Sequence, residues 1–420
     1  MRHVTRLALL AGMVAGASSV ALPVHAFNGS VSGVVSQGRG GDAYERGVTV
    51  KIAHQASLGG GVQLRAEGRY RYNAAACDDR WSDATCDAYR SDADWRELYL
   101  SRDIGSWQVS AGLQQVVWGR ADNLRVFDLV NPLDLRDFVL PDLGEYRIAT
   151  PMVRALGTAG DWTVEALWQP YFTPHDYAAT GSAYDLGIDA RFAATGLVTR
   201  DARRPRRDGT AGEAGVQLST TRGALDISLL GYTGYNDDPV YALELDDPVQ
   251  PAVRGQFRRH ATVGAGLAYA FDGGWVARGE ATWSPDAPVS DLGGTSPRRA
   301  ATTNLLVGLD YQWRDWVLSA QASDRHIASW DAAMATTERA AVLSLSATGS
   351  SHAGRMSHRL AYTVMPQAGD GAWLQWRSAY QFNDHWQVEA NLDLLDGADT
   401  GFFGQFRERD RLRLELRRQF

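Results

Sequence analysis

Apolar and polar residues alternate along most of the chain. In VQLRAEGRYRY (62–72), Val62, Leu64, Ala66, Gly68, Tyr70 and Tyr72 fall on one side. Gln63, Arg65, Glu67, Arg69 and Arg71 fall on the other. A period of two is that of a β-strand. WTVEALW (162–168), NLLVGLDYQW (304–313) and HWQVEANLDLL (385–395) repeat the pattern. A soluble sandwich alternates as well. Here, however, one face is small, aliphatic or aromatic with rings near the segment ends, and the other is heavily charged. That arrangement suits lipid outside and water inside.

The connections sort into two classes. DIGSW (103–107), TAGDW (158–162), DGGW (272–275), WRDW (313–316) and NDHW (383–386) are tight turns, and each leads into a Trp: Trp107, Trp162, Trp275, Trp316 and Trp386. Between them lie long connections at 74–93, 119–146, 172–211, 236–257 and 285–301. Short turns on one side and long loops on the other mark an outer-membrane barrel, the short turns being periplasmic. The five indoles then share one membrane interface, a depth that indole rings prefer. The predicted fold is all-β: a transmembrane, antiparallel, up-and-down barrel of about eighteen strands, with sixteen left open because the first pair is weakly patterned. It fills 27–420 and leaves no second domain. A barrel of that size encloses an aqueous lumen unless something fills it.

The first 26 residues stand apart. Arg2 and Arg6, a short apolar run and VHA before Phe27 predict a signal peptide over 1–26, cleaved after Ala26. The formal charge of the whole chain is −7 and Lys51 is the only lysine. Loss of Arg2 and Arg6 makes the mature chain more acidic still, which argues against a nucleic-acid partner. Export to an oxidising compartment predicts a Cys77–Cys86 disulfide across a polar loop. RLRLELRRQF ends the chain in Phe420, with Leu412, Leu414 and Leu416 on its face. It resembles the terminal signal read by the barrel assembly machinery, although Arg418 departs from the pattern.

VVWGRADNLRVFDLVNPLDLRDF (116–138) breaks the alternation. Leu124, Phe127 and Val130 are spaced as on a helix, Asp122 or Asn123 suits a cap, and Asn131–Pro132 suits a second start. The expectation is a short helical loop folded into the lumen. Its charged residues Arg120, Asp122, Arg125, Asp128, Asp134, Arg136 and Asp137 are candidates for a pore constriction with a transverse field. An external loop with solvated charges and a complete plug are the alternatives. On the wall, Arg65, Glu67, Arg69, Arg71, Arg278, Glu280, Asp310 and Arg359 are expected to line the lumen. RDARRPRRD (200–208) reads either as an anion-attracting mouth facing lipopolysaccharide phosphate or as a solvated loop.

One stretch also carries a family resemblance. Gly112, Gln114, Trp118 and Gly119, then Val130, Asn131, Pro132 and Asp134, then Trp168, Pro170, Phe172 and Pro174 follow a spaced pattern. It resembles that of a family of proteobacterial outer-membrane barrels bearing a domain-of-unknown-function label. More distantly the chain is similar to alginate-export channels. The resemblance implies a Gram-negative outer-membrane barrel in contact with membrane lipids and no particular solute. The shared pattern can reflect folding of the inner loop as well as chemistry.

Other chemistry is thin. His326, Ser329 and Asp331 lie near one another in sequence without forming a triad pattern, and His175–Asp176 is a lone loop pair. No metal-ligand spacing and no phosphate loop is present, so neither cofactor, metal nor catalytic residue is expected. The expected function is passage of a polar solute through a lumen narrowed by 119–146. The alternative is a non-conducting conduit or scaffold for a periplasmic partner in an envelope export complex.

Overall fold

The computed structural model of the chain describes residues 27–119, 124–247, 249–367, 369 and 371–420; the expected signal peptide lies outside them. Eighteen strands form one sheet. In chain order they are β1 (Asn28–Gly38), β2 (Ala43–Gly59), β3 (Val62–Asn73), β4 (Ser91–Ile104), β5 (Trp107–Gln114), β6 (Thr150–Ala159), β7 (Trp162–Gln169), β8 (Glu213–Arg222) and β9 (Leu225–Tyr235). They continue as β10 (Arg259–Ala270), β11 (Trp275–Val289), β12 (Arg298–Trp313), β13 (Trp316–Ile327), β14 (Arg339–Ser351), β15 (Met356–Met365), β16 (Gly371–Gln381), β17 (Trp386–Asp396) and β18 (Arg411–Gln419). Each is antiparallel to its neighbours in the chain, and β1 pairs with both β2 and β18. The sheet is therefore closed, and no strand at its ends is left as a free edge.

Alternation decides which face each residue takes. On β12, Leu305 and Val307 are 49 % and 63 % exposed while Leu306 between them is 2 % exposed. The exposed set is the apolar outer band and the sheltered set looks inward. β5, β7, β11, β13 and β17 each begin at the Trp expected for them. An 18-stranded closed barrel with such a band is an outer-membrane fold. On β18, Leu412, Leu414 and Leu416 face out, and the irregular Arg418 shares their face. Its guanidinium lies 5.8 Å from the Trp386 ring centroid on the adjacent strand. A long cation reaching an interfacial indole keeps its charge out of the apolar layer.

The external connections form a partial roof. Residues 74–90 hold a short helix, Asp83–Tyr89, and the Cys77–Cys86 disulfide. Val198–Arg203, Val240–Glu244 and Ala252–Gln256 make a small three-stranded sheet. In it Arg200, Arg203 and Arg254 converge on Glu244, so part of the basic 200–208 run is internally neutralised. The stretch from Tyr177 to Leu186 crosses to the opposite rim. There Tyr184 meets Phe138 and Phe406 and its hydroxyl donates to the Arg409 carbonyl at 3.3 Å.

The disulfide ties residues of one external loop and touches no wall ladder. Reduction should therefore leave the barrel folded. Electrophoretic heat-modifiability and strand circular dichroism should be unchanged by reductant, and loss of strand signal on mild reduction would contradict this.

Candidate functional site

Between β5 and β6 the chain turns into the lumen. Its root is a buried amide cluster. The Asn131 side chain is fully buried: Oδ1 accepts from the Val116 N–H at 2.7 Å. Nδ2 donates to the carbonyls of Gln114 (3.0 Å) and Ile148 (2.9 Å) and to Thr150 Oγ1 (3.1 Å). Gln169 Nε2 donates to the Val130 carbonyl at 3.0 Å and to Thr150 Oγ1 at 2.8 Å. Gly112 has φ +136°, and a Cβ there would run into the Leu98 carbonyl. Gly112, Gln114, Val130 and Asn131 belong to the spaced sequence pattern, and all four serve the entry and anchoring of the inner segment, whereas Val116, Ile148, Thr150 and Gln169 of the root lie outside that pattern.

The predicted helices do not form. In the described part the segment is extended or turned from Leu124 to Asp142, and its only helix is Leu143–Tyr146. Asn131 does not cap because its side chain is consumed by the root. The three-residue apolar spacing serves a dry wedge instead. Phe127 is 1 % exposed and joins Val116, Trp118, Leu124, Val126 and Val130 against Leu230 and Leu306 of the far wall. Its ring lies over Gly264 and Gly266 of β10, where a Cβ would come within 2.9 and 3.1 Å of ring atoms. The Phe127 N–H donates to Glu280 of β11 at 3.2 Å.

The charged residues divide into two groups. Asp128 accepts from Arg125 (3.1 Å) and Arg147 (2.7 Å), and its side chain is only 4 % exposed. In this trio Asp128 is buried between two guanidiniums and does not face open lumen as expected, while Arg125 keeps 20 % of its side chain exposed and Arg147 borders a second cavity. Arg120 and Asp122 lie outside the described residues. Asp134 and Arg136 do meet the wall. Arg136 bonds Asp134 (2.6 Å) and Asp92 of β4 (3.0 Å), and Arg71 of β3 bonds the same two carboxylates (3.1 and 2.8 Å). The four charges alternate around a square and cancel.

The square borders a cavity of about 230 Å³, which lies between the segment and the wall of β2, β3 and β16–β18. Asp134, Asp137, Asp142 and Glu145 line it from the segment, and Lys51, Arg69, Arg71, Arg377, Arg411, Arg413 and Arg417 line it from the wall. Lys51 bonds Glu145 at 2.6 Å, and Arg377 bonds Asp142 and the Leu140 carbonyl (2.5 Å for the latter). Burial alone would raise the Glu145 carboxyl; Lys51, Arg69 and Arg96 outweigh it and hold it down to about 2. Asp137 goes the other way: burial, reinforced by the Glu45 carboxylate, raises it against the pull of Arg411 and Arg71.

Of the other expected lumen residues, Arg65 pairs with Glu97 and lies 3.7 Å from Glu67, and Arg69 bonds Asp94 at 2.9 Å. Arg278 pairs with Asp310, and Arg359 lies 4.0 Å from Asp142. All point inward, mostly as wall braces. Sequence reasoning missed Lys51, Glu45, Arg377 and the β18 arginines 411, 413 and 417. The signal for the last three was present, because they alternate with the outward Leu412, Leu414 and Leu416.

His175 ties the segment to the roof. Its Nδ1 accepts from the Leu133 N–H at 2.9 Å, which requires that nitrogen to be unprotonated. Burial pushes the imidazole down to about 4, more than the nearby Asp238 can offset. A lowered folded value means that this contact is at full strength above about pH 6.5 and weakens as pH falls toward 4. The linkage is up to about 3 kcal/mol. Leu133 amide exchange, corrected for intrinsic rate, should accelerate over that window, and His175→Gln should flatten the dependence. Protection that is independent of pH would refute the assignment.

A family described as "Protein of unknown function (DUF1302)" matches residues 54–420. The chain belongs to that family. No curated protein matches it. Among solved structures, Acinetobacter baumannii OccAB2 is similar at a TM-score of 0.56 with 9 % identity, over 94 % of this chain and 97 % of that one. Pseudomonas aeruginosa OccK8 (OprE) is similar at 0.53 with 8 % identity over 94 % and 97 %. A. baumannii OccAB3 is similar at 0.51 with 8 % identity over 94 % and 98 %. At such identities the likeness is one of fold. This DUF1302 barrel shares its architecture with those chains over 94 % of its length.

Proposed function

We propose that the barrel passes a small polar or charged solute along the wall of β2, β3 and β16–β18. The supporting observation is one-sided filling of the lumen: residues 124–130 pack dry against β9–β12, whereas 134–145 face a charged cavity. Glu45, Asp137 and Arg411 line both that cavity and a smaller one of about 40 Å³ on the way to Tyr44, Trp81 and Tyr184. On this reading they form the narrow point together with Arg71, Asp134 and Arg136. Carboxylates on the segment opposite guanidiniums on the wall set a field across the path, which orients a dipolar solute and discriminates by charge.

The test is single-channel recording of refolded protein in a planar bilayer with a salt gradient. Discrete small steps are expected. Because burial and the Glu45 carboxylate raise Asp137 whereas Asp134 is held down by Arg136 and Arg71, acidification should neutralise Asp137 before Asp134 and move the reversal potential toward anions. Asp137→Asn should produce part of that shift at neutral pH and reduce its pH dependence. Silence from protein shown to be folded would overturn the proposal.

A further inference from the structure

The barrel wall is uneven. β5 and β7 have 8 residues each and β6 has 10, whereas β4 has 14 and β12 has 16. At about 3.3 Å per residue and a tilt near 40°, eight residues rise roughly 20 Å, less than the apolar band of about 25 Å. The wall therefore dips within the outer leaflet. β4 pairs with β5 only from Leu98–Leu113 to Ile104–Trp107, and its outer part, Ser91 to Glu97, is laddered to β3 alone. Gln115, just past β5, closes the Arg96 carbonyl with its side chain at 3.0 Å. A register shift at Glu67/Gly68 marks the same height, as bulges do beside open edges.

A cavity of about 700 Å³ lies at this dip. Asp92 and Asp94, which pair with Arg71 and Arg69 inside the lumen, line it. So do Ala93 and Trp95, whose register partners Tyr70 and Gly68 lie on the outer face. Residues of both faces of β4 thus border the cavity, at the stretch of β4 that β5 leaves unladdered. From above, the crossing at Tyr177–Leu186 covers part of the mouth, with the Ala179 N–H donating to the Tyr89 hydroxyl at 3.1 Å and Ser82 Oγ to the Thr180 carbonyl at 3.3 Å. The side route is the one the wall leaves open.

The lining is amphipathic. Trp95, Leu113, Ile148 and Pro174 give an apolar entrance, and Arg204 and Arg207 stand at the rim. Neither guanidinium has an ion-pair partner within 4 Å among the described residues, and Arg207 lies 4.9 Å over the Tyr171 ring. Arg204 acts on the Asp176 carboxylate of the same cavity without an ion-pair contact, and guanidiniums free of such contacts beside an apolar slot suit an anionic head on an apolar chain.

We propose that the gap above β5–β7 is a lateral portal that admits a single-chain amphiphile with an anionic head from the outer leaflet. The chain passes beside Trp95 and Ile148 and the head rests on Arg204 and Arg207. The portal does not depend on ion conduction through the smaller cavity.

The experiment uses the full chain in proteoliposomes loaded with a C16 carboxylic acid bearing a photoactivatable diazirine, followed by peptide mass spectrometry. Adducts are expected at 93–96, 113, 148–149 and 173–175, suppressed by excess palmitate and not by equimolar, water-soluble octanoate. The double variant Arg204→Gln, Arg207→Gln should lower the yield at least fivefold. The matching C16 alcohol should label these positions weakly in both proteins. Adducts confined to outward side chains such as Leu305, Val307 and Leu414 would mean ordinary boundary lipid and overturn the portal. Competition by octanoate equal to that by palmitate would mean aqueous entry and overturn the lateral route. Equal labelling by acid and alcohol would overturn the anionic head, and this arm needs no variant.

Discussion

Replacing residues 124–142 with a short Gly-Ser link should raise single-channel conductance several-fold and turn the remaining pore toward anions. The conductance change follows from geometry. The segment spans the lumen from its root at β5–β6 to Gly264 and Gly266 on one side and to Arg377 on the other. The wall does not depend on it, because all eighteen strands are laddered to chain neighbours or across the closing seam. The selectivity change follows from charge. The excised stretch carries Asp128, Asp134, Asp137 and Asp142 against Arg125 and Arg136. Its loss leaves Arg71, Arg377 and Arg411 facing open water with fewer carboxylates. Heat-modifiable migration confirms folding before the recording. An unchanged conductance in a folded variant would show that the segment does not limit the path.

A single substitution should come close to that result. Asn131→Ala removes the acceptor for the buried Val116 N–H and the donor to the buried Gln114 carbonyl and the part-buried Ile148 carbonyl. Buried polar groups left without partners cost about 1–3 kcal/mol each. The two buried groups thus cost the root roughly 2–6 kcal/mol, enough to release the segment without unfolding a barrel that has its own hydrogen-bond ladder. Expected signs are trypsin cleavage at Arg125 or Arg136, protected in the parent, together with flickering current in place of steady steps. Asn131→Asp keeps the acceptor and should be milder. Undiminished protection in the Ala variant would move the anchoring elsewhere, to the Phe127 wedge first of all.

The barrel was legible because its rule is local. Each strand repeats inside-outside alternation, and each short turn ends at a Trp, so neighbouring residues suffice to place Leu305 outward and Asp310 inward. The inner segment obeys no local period. Leu124, Phe127 and Val130 look helical because three apolar contacts recur along a chain that weaves past Leu230 and Leu306, residues about a hundred or more positions away. Asn131 looked like a cap because capping and root-building use the same amide. The charge-dense reading of 120–137 takes in Asp134 and Asp137, which line the cavity, and Arg136, which stands in the square beside it. It does not separate them from Asp128, which is buried between Arg125 and Arg147. That distinction depends on which half of the lumen the wedge fills, and alternation does not carry that information.

The seam between β1 and β18 has a consequence for biogenesis. Every other wall ladder joins strands that follow one another in synthesis. This one sets Asn28–Gly38 against Arg411–Gln419, with the Gly29 and Phe420 backbones exchanging bonds at 2.9 and 3.0 Å. Its loop closure spans nearly the whole chain, the kind of contact that forms slowest. Until it forms, two strand edges are exposed at once, each able to recruit a neighbouring chain. The last step of maturation is thus a zipper between β1 and β18, and a variant lacking Arg411–Gln419 should yield aggregates rather than a smaller pore.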